Sequence, residues 1–187
     1  SGTVTGSTAS SLHVYDTAST LTVNGFTLKG WTFQGWAMSE DGEKVYDDNV
    51  NVSTLVAENG GSITLYAVWK ANNYTVNYDS NKPSGASGTV EGTMDFSPHV
   101  YDTASALTAN DFALTGWTFQ GWALSNDKSK VIYTDGQDVS NLVAENGGEI
   151  TLYAVWKANS HTLTLNAMGG SNSGSVGATY DSILPDI

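Results

Sequence analysis

The sequence predicts a mainly β fold made of small modules in tandem, each with a mixed or antiparallel sheet and at most one short helix. Three observations carry that expectation. GWTFQGWA begins at Gly30 and again at Gly116, and ITLYAVWKAN begins at Ile63 and again at Ile150, so the chain must be divided into copies before its length means anything. Segments such as Tyr74-Thr75-Val76-Asn77-Tyr78 alternate apolar and polar residues with the period of two of a half-buried strand. Gly-rich stretches such as NKPSGASG, from Asn81, lie between them as turns would. Immunoglobulin-like β-sandwich modules are the alternative arrangement compatible with this pattern.

Composition narrows the function classes. All 7 basic residues are Lys against 19 acidic ones, a formal net charge of −12. Without guanidinium groups or a positive surface, nucleic acid is not an expected partner, and an anionic membrane would repel the chain. There is no Cys, hence no disulfide, thiol nucleophile or Cys-based metal site. No stretch approaches the ~20 apolar residues of a membrane-spanning helix, and residues 1–15 lack the basic-then-apolar order of a signal peptide. The acidity favours solubility and opposes self-association, so a monomer is expected.

The elements follow in order. SGTVTG at Ser1 aligns with SGTVEG at Ser87, and HVYDTAS at His13 with HVYDTAS at His99, so the first copy enters without an equivalent of residues 73–86. That stretch holds the Tyr74 strand and its turn. TVEGTM is expected as a return strand, followed by irregular chain. In WTFQGWALS, Trp117 and Phe119 fall on one phase and Trp122 and Leu124 on the other, which predicts a bulge or bend at Gly121. Val139, Leu142 and Val143 are spaced i, i+3, i+4 ahead of Gly147–Gly148, and so predict about two turns of helix with a Gly stop. VNVSTLVAENGG from Val50 predicts the same. EITLYAVWKA is nearly continuously apolar, as a central strand is. Trp31 to Trp117 is 86 residues and Trp69 to Trp156 is 87, which puts one inserted residue in the loop Ser125–Lys130. HTLTLN, from His161, opens a third copy. The division is therefore 1–70 as a first module lacking its initial strand, 71–157 as a complete second module and 158–187 as a truncated third. The other division, in which the Tyr74 strand closes the preceding module, is equally compatible with the sequence. At about 85 residues each unit is near the lower limit for a self-sufficient core, and the Trp residues supply large buried area.

The motif Gly30-Trp31-Phe33-Gly35-Trp36 with Leu65-Tyr66-Trp69, repeated as Gly116-Trp117-Phe119-Gly121-Trp122 with Leu152-Tyr153-Trp156, resembles the Listeria–Bacteroides repeat, the B-repeat type of internalin B. The Asn-Gly-Gly signature opening such repeats is loosely kept at Asp79–Lys82 and more closely at Asn166–Gly170. The resemblance implies a small β-grasp-like fold and an extracellular or wall-attached place on a bacterial surface. It also implies a non-catalytic stalk or spacer in an adhesin-like protein that presents a recognition region, with neighbouring repeats as the first partners. The alternative is a module that binds a host protein or glycan through exposed Trp and Tyr.

No catalytic constellation and no cofactor is expected. His13 and His99 read as packed residues near Tyr15 and Tyr101, and His161 stands where Tyr74 stands in the preceding copy. Glu58 and Glu145 precede Gly-Gly and lack the second carboxylate that a glycosidase needs. Asp47, Asp48, Asp135 and Asp138 gather hard oxygen ligands near turns but follow no EF-hand spacing, so a solvated acidic turn is preferred to calcium. Lys70 and Lys157 could form a Lys–Asn crosslink only if buried. Phe33, Trp36, Tyr66, Trp69, Phe119, Trp122, Tyr153 and Trp156 are expected in the core. Trp31 and Trp117 are the aromatic candidates for a binding surface.

Overall fold

The computed structural model describes residues 2–126, 130–166, 168 and 174–183. It is all β. Among the described residues, eight strands have four residues or more: β1 Trp31–Ala37, β2 Tyr66–Ala71, β3 Asn73–Asp79, β4 Ser97–Val100, β5 Trp117–Ala123, β6 Gly148–Ala158, β7 Ser160–Leu165 and β8 Gly174–Thr179. The chain forms two compact units. The first comprises residues 1–74, 99–103 and 140–148, and the second comprises 75–98, 104–139 and 149–187.

In the first unit β1 pairs antiparallel with β2, Phe33 opposite Trp69. Two-residue ladders join Thr5–Gly6 to Phe26–Thr27 and Ser19–Thr20 to Asn51–Val52. The core is Leu21, Trp36 and Val52, with Phe26, Phe33, Tyr46, Leu55 and Leu65 packed against it. The second unit repeats this plan. β5 pairs with β6, Phe119 opposite Trp156, and short ladders join Val90–Glu91 to Ala113–Leu114 and Ser105–Ala106 to Asp138–Val139. Here the sheet has four strands in the order β5-β6-β3-β4. The nearly continuous apolar run of β6 thus serves a central strand, covered on both faces. Trp122, Leu152 and Val76 are fully buried there. β7 and β8 form an antiparallel hairpin from Ser160 opposite Thr179 to Leu165 opposite Gly174.

The expected bulge is present twice. Both ladders slip a register, between Phe33 and Gly35 and between Phe119 and Gly121. Each glycine has φ +138°, and a β carbon on Gly121 would lie 2.6 Å from the Tyr133 carbonyl oxygen. Only glycine suits such a position. The slip brings the two phases of the strand to one face, so Phe33 meets Trp36 edge-on at 5.0 Å and Phe119 meets Trp122 at 4.9 Å.

The expected helices are not formed. Asp138–Val139 and Asn51–Val52 are strand residues, and Asn141 has φ 61°, a left-handed conformation that a right-handed helix cannot absorb. Val139 is buried from a strand, whereas Leu142 and Val143 are half-buried from the turn behind it, and this geometry mimics helical spacing in the sequence. Of the expected TVEGTM strand only Val90–Glu91 is paired. In the loop given the inserted residue, 127–129 lie outside the described residues, as do Ala167, Gly169 and Gly170 of the Asn166–Gly170 signature.

Candidate functional site

A set of backbone and side-chain contacts occurs twice, once in each unit, and links the Gly-Trp turn of one copy to a Tyr-Asp pair further along the chain. Gly30 has φ +77°, and the Tyr101 ring lies where its β carbon would be. Gly116, with φ +78°, meets Tyr180 in the same way. Beside them the Trp31 indole N–H donates to Asp102 Oδ2 at 3.0 Å and the Trp117 indole N–H to Asp181 Oδ2 at 3.1 Å.

An asparagine completes each set. The Asn72 N–H donates to the Gly30 carbonyl at 2.9 Å, and its own carbonyl accepts the Tyr101 N–H at 2.9 Å. Its side-chain oxygen accepts the Thr32 hydroxyl at 2.5 Å. Asn159 does the same with Gly116, Tyr180 and the Thr118 hydroxyl, at 2.8, 2.8 and 2.6 Å. The asparagine therefore extends the ladder between the Gly-Trp turn and the Tyr-Asp pair by one rung, satisfying backbone groups that a joint would otherwise leave to water. Asp102 and Asp181 have φ 57° and 53°. Asp tolerates this region because its short polar side chain bonds locally, and the turn aims its carboxylate at the indole.

The first set is reinforced from the following loop. Asn72 Nδ2 donates to the Ala144 carbonyl at 2.7 Å and the Asn73 N–H to Asn146 Oδ1 at 3.1 Å. Asn141 Nδ2 donates to Asp102 Oδ1 at 2.8 Å and its Oδ1 accepts the Asp102 N–H at 2.5 Å. In the second set Ser87 takes that place, donating its hydroxyl and N–H to Asp181 at 2.6 and 3.0 Å.

These bonds act on the ionised form. The Asn141 amide, then the Trp31 indole, hold the Asp102 carboxyl below its ordinary value, and the Ser87 hydroxyl and N–H, then the Trp117 indole, do so for Asp181. A carboxylate with a depressed folded pKa contributes stability above its unfolded pKa, roughly 3.9, and loses it as pH falls through the lower folded value. Both joints are therefore expected to be intact at neutral pH and to loosen in acid below about pH 4. In an NMR titration the Trp31 and Trp117 indole N–H resonances should move together with Asp102 and Asp181; indole shifts centred near neutrality would contradict the assignment.

The other sequence-selected residues lie elsewhere. Trp31 and Trp117 are half-buried within the joints; Trp36, Trp122 and Trp156 are buried, and Phe33, Tyr66, Trp69, Phe119 and Tyr153 half-buried. Asp48 Oδ1 accepts the Asn24 N–H and Asp135 Oδ1 the Asn110 N–H, at 2.9 and 2.8 Å. Asp47 pairs with Lys44 at 2.7 Å, and Asp138 is an exposed strand residue opposite Ala106. Among the described residues no three His, Cys, Asp or Glu side chains are grouped to hold a metal, and no helix is long and apolar enough to cross a membrane. Lys70 and Lys157 are exposed, which removes the crosslink geometry. The His99 ring partner is Tyr74, stacked at 5.3 Å, and burial pushes its imidazole below the ordinary value. Sequence reasoning missed Asn72, Asn159, Tyr101, Asp102, Tyr180 and Asp181 as a set. Their signal was the recurrence of Val14-Tyr15-Asp16 as Val100-Tyr101-Asp102 and, in weaker form, as Thr179-Tyr180-Asp181.

A family model described as the Listeria-Bacteroides repeat domain matches residues 2–68 and again residues 74–155. Among curated proteins, one of Evansella cellulosilytica, provisionally described as a Gly-rich membrane protein, is 28% identical over 150 residues, 80% of this chain and 16% of its own length. A second from the same organism, provisionally described as a membrane protein, is 33% identical over 111 residues, 59% of this chain and 15% of its own. The chain thus spans about one-sixth of the length of these relatives. No solved structure matches it.

Proposed function

The chain belongs to the Listeria-Bacteroides repeat family, a non-catalytic structural repeat, and from that premise we propose that it is a length of stalk in a bacterial surface protein. Its role is to space and present a recognition region carried elsewhere, outside the cell or attached to the wall. The observation that carries this reading is the recurrence of the Gly-Trp, Asn and Tyr-Asp joint at Gly30 and at Gly116. The same set of contacts is copied in each unit, as expected of a structural repeat in an array and not of an isolated binding domain. The division into modules 1–70, 71–157 and 158–187 accords with this, since β3 shares a sheet with β5 and β6. The relatives' descriptions as membrane proteins and the net charge of −12, which keeps a long array soluble, support a surface location. Trp31 and Trp117 serve the joints in this reading, their indole N–H groups being engaged by carboxylates.

Concatemers of residues 1–86 test it. Small-angle scattering should give a maximum dimension that rises in proportion to copy number. Growth with about the square root of copy number, as for flexibly linked beads, would contradict a stalk. Asp16→Ala, which in each following copy stands where Asp102 stands, should shift the series toward the flexible law.

A further inference from the structure

The second unit contains a crevice of about 380 Å3 whose walls include Phe112, Trp117, Phe119 and Trp156, together with Glu91 and Thr115. Trp156 is buried and the other three rings are half-buried, while Glu91 and Thr115 are exposed. Phe119 and Trp156 meet at 5.7 Å with their planes 69° apart, so the two rings wall the crevice from different directions. Both indoles bring ring surface to it and no free donor. The Trp156 N–H is given to the Ser80 carbonyl at 2.7 Å and the Trp117 N–H to Asp181 Oδ2 at 3.1 Å.

The first copy repeats the rings but not the charge. Phe26, Trp31, Phe33 and Trp69 stand where Phe112, Trp117, Phe119 and Trp156 stand, whereas Thr5 takes the place of Glu91 and Lys29 that of Thr115. Those four rings are half-buried too, and Thr5 and Lys29 are exposed. The shared rings serve packing in both copies. The exposed pair, one carboxylate in the second copy and one ammonium in the first, sets what each crevice attracts.

We propose that the crevice of the second unit binds a quaternary ammonium group carried by a small cation of the choline class. Aromatic faces attract a cation, most strongly where water is displaced. With both indole N–H groups engaged, the rings offer a sugar or an anion few donors, and an ammonium with N–H groups would leave them unpaired against carbon. A quaternary ammonium has no N–H to satisfy and loses nothing there. Glu91 supplies the counter-charge, within a chain of net charge −12 that draws in cations generally. This goes beyond the stalk reading and does not rest on it, since the crevice lies within one unit and would take its ligand whether or not the array is stiff.

The probe is choline chloride, titrated into the whole chain at an ionic strength held constant with sodium chloride and followed by the indole N–H resonances. Those of Trp117 and Trp156 should shift saturably with a midpoint of about 1 mM, and those of Trp31 and Trp69 should not. Dimethylbutanol, the neutral carbon isostere of choline, should bind at least about tenfold more weakly. Phosphocholine, whose phosphate faces the acidic surface, should bind about threefold more weakly or worse. Glu91→Gln should weaken choline binding about three- to tenfold. Thr115→Lys, which gives this crevice the cation of the first copy, should reduce binding below detection. Both positions are exposed, and unchanged resonances elsewhere verify that the variants are folded. Equal binding of the neutral isostere would make the crevice a general apolar cleft, and phosphocholine binding as tightly as choline would show that charge does not select the ligand. Either result, full affinity in both variants, or no saturable shift up to about 20 mM choline overturns the proposal.

Discussion

Trp122→Ala is expected to cost about 3–5 kcal/mol, the usual range for removing a fully buried indole, and Trp36→Ala clearly less. The two residues hold the same place in GWTFQGWA, and both are buried. Their surroundings differ. Trp122 touches Tyr78, Phe112 and Phe119, at 4.9, 6.4 and 4.9 Å, whereas Trp36 has Phe26 and Phe33 at 6.4 and 5.0 Å and lines a groove with Leu21 and Leu65. An aromatic pair contributes about 0.5–1.5 kcal/mol beyond its area, so the difference between the variants should be at least about 1 kcal/mol. Domains of this size have about 5–15 kcal/mol of stability in all, so Trp122→Ala should bring the second unit close to unfolding at 37 °C. Its melting should fall by on the order of 15 °C or more. Hydrogen exchange read separately at residues 66–71 and 149–158 assigns the loss to a unit. Equal losses in the two variants would show that Tyr78 adds nothing to the packing of Trp122.

The same comparison marks what the sequence could show. Alternation of Tyr74, Val76 and Tyr78 announces a strand because a side-chain period of two is a local property. The phase change between Phe119 and Trp122 announces the Gly121 bulge for the same reason. Which sheet that strand joins is decided by long-range pairing, here between β6 and β4, which no local pattern encodes, and this is why two module divisions are compatible with the sequence. The helix expected at Val139 failed because periodicity cannot distinguish one helical face from a strand residue followed by two turn residues, once Asn141 takes a left-handed conformation. The joint stayed hidden because Lys-Ala-Asn reads as linker. Asn72 is nevertheless 7% exposed, and its backbone and side chain are both occupied. Asp102 carries its role through a left-handed φ, which an isolated Tyr-Asp pair does not announce.

Gly30→Ala should destabilise the first unit by more than Gly60→Ala, and the difference isolates the joint. The two glycines have nearly the same backbone, φ +77° and +76°, so the left-handed penalty of about 1–2 kcal/mol falls equally on both variants. They differ in what a methyl group would meet. Nothing lies within 4 Å of a β carbon on Gly60, whereas one on Gly30 would fall within the Tyr101 ring. Overpacking adds about 1–3 kcal/mol, and the ring can escape only by leaving its seat, which pulls the Tyr101 N–H from the Asn72 carbonyl and Asp102 from the Trp31 indole. The expected total is therefore about 2–5 kcal/mol for Gly30→Ala and about 1–2 for Gly60→Ala, read by denaturant unfolding. Exchange at the Tyr101 amide should rise only in the first. Gly116→Ala, against Tyr180, should repeat the result in the second unit and release the Trp117 indole from Asp181. Equal costs for Gly30 and Gly60 would mean that Tyr101 rests loosely on the turn and that the contact adds nothing to the stability of the unit.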